Sequence, residues 1–430
     1  MNAESFLHDF HHVATIGATE DHGVERQAAT EEDRRTRDWF AAFAAERGWE
    51  LRVDGIGNMF ALLDFRPGAP YVLVGSHLDS QPLGGRFDGA YGVVAALHAA
   101  ERIQARIGRG GTAPAYNLAV VNWFNEEGGR FAPSIMGSSV YAGIMDAATM
   151  LEVRDLAGTS VREALESIGY LGGDAAPEAA GYAEIHIEQG RILEREGLAL
   201  GAVDSSWYTQ KLDIEILGEQ SHTGATAMAD RHDALVAASK VILMVHDVTS
   251  DYAPEALVSS VGRLTLEPNS PIVVARRVHL VADLRSNDPG IVHAARATLL
   301  GSLRDLAREH DIRINVSDVD IRANQYYPES GVELTEKVAA NLGLGVRRIQ
   351  TMAGHDSVAM NQIVPSVMMF VPSVDGVSHC EREFTSDTDM VAGVDALTEV
   401  AFELVGGALA GQAARNPVGA FAAAGAGERR

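Results

Sequence analysis

Between residues 30 and 205, apolar runs of strand length alternate with stretches of helical period, the pattern of an α/β layer architecture. Glu31 to Arg47 reads as an amphipathic helix, and Tyr71-Val72-Leu73-Val74-Gly75 as a short apolar run of the buried-strand type. A helix is predicted from Ala90 to Ile103, followed by a second buried strand from Asn117 to Phe124. Ala183 to Glu188 alternates, so His186 projects to the opposite face from Ile185 and Ile187.

The pattern changes at residue 211. Strand-like segments at Lys211–Leu217, Leu257–Leu266, Val278–Leu284 and Ile312–Val319 are interleaved with helices at Arg231–His246 and Ile291–Arg308. That β-α-β-β-α-β order matches a ferredoxin-like split βαβ unit, read here as an inserted domain. The α/β pattern resumes at Glu333, with a strand predicted at Ser366–Val371. The expected division is therefore 1–210 with 328–410, an insert over 211–327, and an aperiodic Ala/Gly-rich tail over 411–430, expected to be mobile.

Length agrees with this division, because 430 residues exceed one ordinary core. Charge narrows the partners. Lys+Arg total 35 against 59 Asp+Glu, a net charge of -24 that argues against nucleic acid and anionic membrane surfaces. A small anionic substrate stays possible, since a pocket can be locally positive. The single cysteine, Cys380, excludes intramolecular disulfides, and its simplest reading is a small buried residue. Residues 1–21 show no signal-peptide pattern, and no apolar run reaches the ~18 residues of a membrane span. A cytoplasmic location is expected.

The chemistry sits at the ends of the apolar runs. Residues 75–89, Gly-Ser-His-Leu-Asp-Ser-Gln-Pro-Leu-Gly-Gly-Arg-Phe-Asp-Gly, hold His77, Asp79 and Asp88. Glu126-Glu127 closes the second buried strand; His186 and His379 lie beside later ones. Water near pH 7 is a poor nucleophile, and a pair of divalent cations lowers its pKa and orients it. Such a site needs one shared carboxylate, with imidazoles and further carboxylates completing each shell. Asp88 is the natural bridge, with His77, His379, Glu127 and His186 as the remaining ligands. Asp79, two residues past His77, is placed to fix the histidine tautomer. Glu126 is then the group left to take the water proton and deliver it to the leaving nitrogen. Adjacent acids are most often a solvated face, but these end a buried run and precede Gly128-Gly129. His11, His12, His98 and His232 read as solvated surface groups. Imidazole and carboxylate donors without thiolates suit Zn, Mn, Co or Ni, and HExxH spacing does not occur.

These segments resemble the amidohydrolases of the M20 metallopeptidase-like superfamily, in particular the N-carbamoyl-L-amino-acid hydrolase, β-ureidopropionase and allantoate amidohydrolase group. The matching stretches are GSHLDSQPLGGRFDGAYGV (75–93), NWFNEEGGRFAPSIMGSSVYAG (122–143), EIHIEQG (184–190), GEQSHTGATAM (218–228), DLR (283–285), AGHD (353–356) and FVPSVDGVSHCERE (370–383). The resemblance implies a di-metal, aminopeptidase-like catalytic domain interrupted by an α+β lid that also forms a homodimer. It implies two divalent cations per subunit on His77, Asp88, Glu127, His186 and His379, with Asp88 bridging and Glu126 as base.

It further implies that Gln189, His222, Arg285 and His355 handle substrate, with the lid-derived ones reaching a neighbouring subunit's site. His222 lies in a Gly-rich loop and can donate to a developing oxyanion; a surface-loop histidine is the plainer reading. Arg285 can grip a substrate carboxylate bidentately or form a structural ion pair. Gln189 suits a ureido group or a local backbone cap, and His355 a substrate contact or a helix-capping turn.

One segment departs from the group. Where relatives carry a substrate-binding Asn before a Val-Ile-Pro-Gly-like turn, this chain has Ile272, with Ala275 and Arg276 in place of Pro-Gly. A hydrogen bond to a charged group is worth about 1.5–3 kcal/mol, so its replacement by an aliphatic points to a less polar substrate end. The expected activity is metal-dependent hydrolysis of a linear amide or ureido C–N bond in a small molecule, foremost an N-carbamoyl amino acid or β-ureido acid. An M20-type N-acyl-amino-acid hydrolase, dipeptidase or deaminase is the alternative, and a metal-dead binding homologue a remote one.

Overall fold

The computed structural model describes residues 3–110 and 113–412, so most of the expected tail lies outside the described residues. The chain divides into two compact units, one formed by residues up to Ser205 and from Gln325 onward, the other by Ser206–Asn324. Strands β1 (Glu50–Val53), β2 (Met59–Leu63), β3 (Tyr71–His77), β4 (Asn117–Trp123), β5 (Ala179–Ile187) and β6 (Leu200–Ser206) come first. The insert carries β7 (Tyr208–Leu217), β8 (Ser221–His222), β9 (Val258–Glu267), β10 (Val273–Val274), β11 (Arg277–Ser286) and β12 (Arg313–Arg322). β13 (Val346–Thr351) and β14 (Ser366–Val371) complete the first unit.

The first unit is built on an eight-stranded sheet, ordered β1-β2-β4-β3-β5-β14-β6-β13. Its centre is parallel: β3 pairs with β4 and β5, and β5 with β14. Parallel strands covered on both faces read as continuous apolar runs, which is why β3, β4 and β14 are buried almost throughout. Helices Ala3–Val13, Ala90–Gly108 and Asp387–Val405 contribute Phe6, Phe10, Leu97, Ile103, Leu397 and Leu404 to the largest core cluster. Each such side chain contributes roughly 1.5–3 kcal/mol by leaving water. His98, read as a surface group, is only 2% exposed, because the helix that bears it is buried on most sides. Its Nε2 lies 2.9 Å from Asp9.

The parallel centre aligns the carboxyl ends of β3, β4, β5 and β14 along one edge, the position where open α/β sheets place their sites. Every ligand candidate stands at one of these strand ends or in the loop that follows it.

The second unit has a four-stranded antiparallel sheet, ordered β12-β7-β11-β9. Leu212, Ile214, Ile216, Val278, Leu280 and Leu284 alternate with more exposed residues and pack with helices Ala234–Asp247 and Pro289–Glu309. Asp233 and Asp288 cap the two helices, accepting backbone N–H groups, and Pro289 occupies the first turn. The unit starts at Ser206 rather than 211, because only Trp207 separates β6 from β7 and the strand begins before the sequence starts to alternate. A two-residue ribbon of β8 and β10 pairs His222 with Val273.

Candidate active site

His77 is the last residue of β3. Its Nδ1 lies 2.9 Å from the Asp79 carbonyl oxygen, so Nδ1 carries the proton and Nε2 is left as a donor atom for a cation. The Asp79 carboxylate was expected in that role. It lies 3.7 Å from Nδ1 and instead accepts the backbone N–H groups of Glu126 (3.2 Å) and Glu127 (3.3 Å). The chain turns after His77, presenting the carbonyl to the ring and the carboxylate to the next loop. Asp79 therefore positions the glutamate pair. His186 is set in the same manner, with Nδ1 2.9 Å from the Ile187 carbonyl.

Asp88 lies between β3 and the helix Ala90–Gly108, and its two oxygens face different partners. Oδ1 lies 2.9 Å from His186 Nε2 and 3.5 Å from His77 Nε2; Oδ2 lies 3.4 Å from His379 Nε2. His379 Nε2 is also 3.4 Å from Glu127 Oε2. Donor atoms of His77, Asp88 and His186 lie within 4.8 Å of one another, as do those of Asp88, Glu127 and His379. All five predicted ligands are thus brought together, in two sets that share Asp88. Gly89, at φ +61°, lets the helix start against the His77 ring, where a Cβ would come 2.3 Å from its Cε1.

Glu126 belongs to neither set. It is 7% exposed, with Oε2 3.5 Å from His77 Nε2. Asn125 before it, together with Gln189 and His379, holds positive φ (51°, 57° and 56°), the concentration of left-handed backbone typical of functional loops.

Electrostatics fit a cation pair. Asp79, Asp88, Glu126, Glu127, Glu184, Asp356 and Glu383 are all buried, against the imidazoles of His77, His186, His355 and His379. Burial raises the carboxyls of Asp79 and Glu383 to about 7, and raises Glu126 and Asp356 well above the carboxylate range. Burial also opposes charge on His77 and His379, but Glu126 and Glu127, with Asp88, outweigh it; His379 reaches about 10. His355 is held neutral by burial and by His186. So many carboxyl groups in one buried place favour compensating positive charge, and the oxygen and nitrogen donors suit divalent cations.

The structure also shows supports that sequence reasoning passed over. Gln81 clamps Glu127, its backbone N–H to Oε1 (3.2 Å) and its side-chain Nε2 to Oε2 (2.9 Å) and to the backbone oxygen (3.0 Å). Glu184 accepts from Ser76 and from the Ser357 backbone. Glu383 accepts from the backbone of Phe87 and Asp88. The one available signal was their place inside the matching stretches, since a polar residue between ligands cannot be told from a solvated one by spacing. Gln81→Ala removes two of the three bonds to Glu127 and is expected to lower metal affinity or kcat/KM by roughly 10–100-fold. Metal titration and steady-state kinetics of the folded variant check this.

The substrate candidates divide. Gln189 donates to Asp88 Oδ2 (2.7 Å) and Ser378 (3.1 Å), while its Oε1 is buried with no hydrogen-bond partner. His355, expected at the substrate or as a cap, is 2% exposed and makes no side-chain cap bond. Its ring centroid lies 4.6 Å from that of His186 with the planes tilted by 57°, and its Nε2 meets Thr351, so in this structure it supports a ligand. Arg285 forms an ion pair with Asp283, Nη2 to Oδ2 2.7 Å, the structural alternative. His222 is exposed, and its Nδ1 accepts the N–H groups of Gly224 (3.0 Å) and Ala225 (3.1 Å). The neutral ring therefore carries its proton on Nε2, the form able to donate outward. Ile272 is 67% exposed, and its carbonyl meets the Thr223 N–H beside His222. Cys380 is half-buried rather than buried.

Residues 73–403 match the sequence model of peptidase family M20/M25/M40. Over 418 residues the chain is 47% identical to a Mycolicibacterium smegmatis protein described only in general terms as a hydrolase, covering 96% of this chain and 95% of that one. It is 32% identical over 409 residues to the N-carbamoyl-L-amino-acid amidohydrolase of Rhizobium meliloti, covering 94% and 96%. A crystal structure of a hydantoinase/carbamoylase-family amidase from Burkholderia vietnamiensis is similar with a TM-score of 0.88 at 33% identity, covering 94% of this chain and 97% of that one. The chain belongs to peptidase family M20/M25/M40. Within that family it is an amidohydrolase of the hydantoinase/carbamoylase type, acting on C–N amide bonds. Other relatives are named allantoate amidohydrolase. Among the described residues no helix is long and apolar enough to cross a membrane.

Proposed function

We propose that the chain hydrolyses the ureido C–N bond of a small N-carbamoyl amino acid or β-ureido acid. The observation that carries this reading is the pair of ligand sets sharing Asp88 with Glu126 beside them and in neither. Divalent cations held there, two per subunit in this reading, supply Lewis-acid activation of water and of the substrate carbonyl. Glu126 takes a proton from the attacking water and returns it to the leaving nitrogen. His222, which the resemblance assigns to a neighbouring subunit's site, is the proposed donor from Nε2 to the carbonyl oxygen as it gains charge. The carbamoyl group leaves as carbon dioxide and ammonia, one water being consumed for each amino acid released. Gln189, bonded to Asp88 and with a spare carbonyl oxygen, suits the terminal ureido NH2. The same reading includes a homodimer through the second unit, as the resemblance implies.

Ile272 beside His222 favours a second reading, an N-acyl substrate with an apolar end. The two separate by product. Metal-loaded protein assayed on matched N-carbamoyl and N-acyl amino acids is expected to release ammonia from the former, fastest where the amino-acid side chain is apolar. Carboxylate release from the N-acyl set with no ammonia from the carbamoyl set rejects the first reading for the second.

A further inference from the structure

Asp88 and His379 come from segments far apart in the sequence, yet both belong to the more exposed ligand set, so something must fix their separation. One buried carboxylate touches both segments. Glu383, 3% exposed, accepts the backbone N–H groups of Phe87 and Asp88 through Oε1, both at 3.0 Å. Its other oxygen, Oε2, lies 2.9 Å from Ser378 Oγ, next to His379. Ser378 Oγ in turn lies 2.9 Å from Asp88 Oδ2, the oxygen that faces His379. The carboxylate fills the space above Gly85, where a Cβ would come 2.0 Å from Oε1.

We propose that Glu383 is a positioning residue that sets the distance between Asp88 and His379, and so governs the second cation's ligand set while leaving the first nearly untouched. The asymmetry follows from the anchoring. His77 and His186 stand at strand ends and are each oriented by a main-chain carbonyl, with Asp88 Oδ1 turned toward them. His379 stands in a loop, its side chain 50% exposed and its φ at +56°. It depends on its neighbours for its place. The inference rests on the proposed cation pair.

The proton count supplies a sharper test. Ser378 has one hydroxyl proton and two carboxylate neighbours, so it can donate to only one at a time. In Glu383→Gln the amide oxygen keeps both backbone N–H bonds, and its NH2 donates to Ser378 Oγ. The hydroxyl proton is then committed to Asp88. Glutamine should therefore preserve the link, whereas alanine cuts it.

The experiment uses full-length protein stripped by chelator and titrated calorimetrically with Mn²⁺ alone, with bound metal counted by mass spectrometry. Wild type is expected to take two cations per chain. E383A is expected to bind the second roughly 10–100-fold more weakly and the first within about threefold, with E383Q close to wild type. Equal weakening of both cations, no weakening in E383A, or E383Q behaving like E383A overturns the assignment. Should E383A not fold, S378A decides, because it removes the hydroxyl that joins Glu383 to Asp88 and spares the backbone bonds of Glu383, at the cost of the one bond from Gln189 Nε2. Selective weakening of the second cation supports the proposal, and unchanged binding overturns it. A wild type that takes fewer than two cations overturns the paired-cation reading itself, and this inference with it.

Discussion

Replacing Glu126 with glutamine is expected to lower kcat by about 10²–10⁴-fold while KM and bound metal stay near wild type. The substitution keeps volume and polarity at a side chain that is 7% exposed, so no cavity opens. The loop also stays in place, because Asp79 holds it through the backbone N–H groups of residues 126 and 127 rather than through side chains. What disappears is the ability to accept a proton. Glu126 is in neither ligand set, so metal counted in the purified variant should not fall. Burial and neighbouring acids push its carboxyl upward, the direction that lets a carboxylate take up a proton and hold it for transfer. A variant that loses metal together with rate would make Glu126 a ligand; one that keeps its rate would leave the base to another residue.

How much of this was legible beforehand follows from where each residue sits. His77, Asp88 and Glu127 flank β3 and β4, whose continuous apolar runs mark fully covered strands and make a polar residue at their ends conspicuous. The second unit was equally readable, since period-2 strands and period-3.6 helices alternate in one fixed order. Strands β1, β2, β6 and β13 were passed over. β1 and β13 are sheet edges and only partly buried, β2 has five residues, and β6 ends in Asp204-Ser205-Ser206, so their patterns are weak. Asp79 shows a different limit. Spacing put its carboxylate within reach of His77, but a turn in the chain delivered the carbonyl instead. His355 and Glu383 illustrate a third. Whether a histidine or glutamate faces substrate, a ligand or a backbone amide is decided by tertiary packing, which local pattern does not encode.

Asp88→Ala is expected to be the most damaging single change at the metal centre, and its comparison with two histidine variants shows why. Asp88 belongs to both ligand sets, whereas His186 belongs to one and His379 to the other. Removing either imidazole leaves one set of three donors complete. Removing Asp88 leaves both short. His186→Ala and His379→Ala should each retain about one cation per chain, with the His379 variant keeping the more buried one. Asp88→Ala should retain less than one. Its kcat/KM should fall by ~10³ or more, since metal activation is worth several kcal/mol and each 1.36 kcal/mol is a factor of ten. Stability gives an independent readout. A cation present at a hundred times its Kd adds about 2.7 kcal/mol to the folded state, so the wild-type melting temperature should rise on metal addition. The Asp88 variant should show almost no rise, while each histidine variant should show part of it. Those values compare one protein with and without metal, so they do not depend on how the substitution alters the apo fold. If Asp88→Ala kept two cations, the shared carboxylate would have to be a different residue, and the division of ligands between the two sets would have to be redrawn around it.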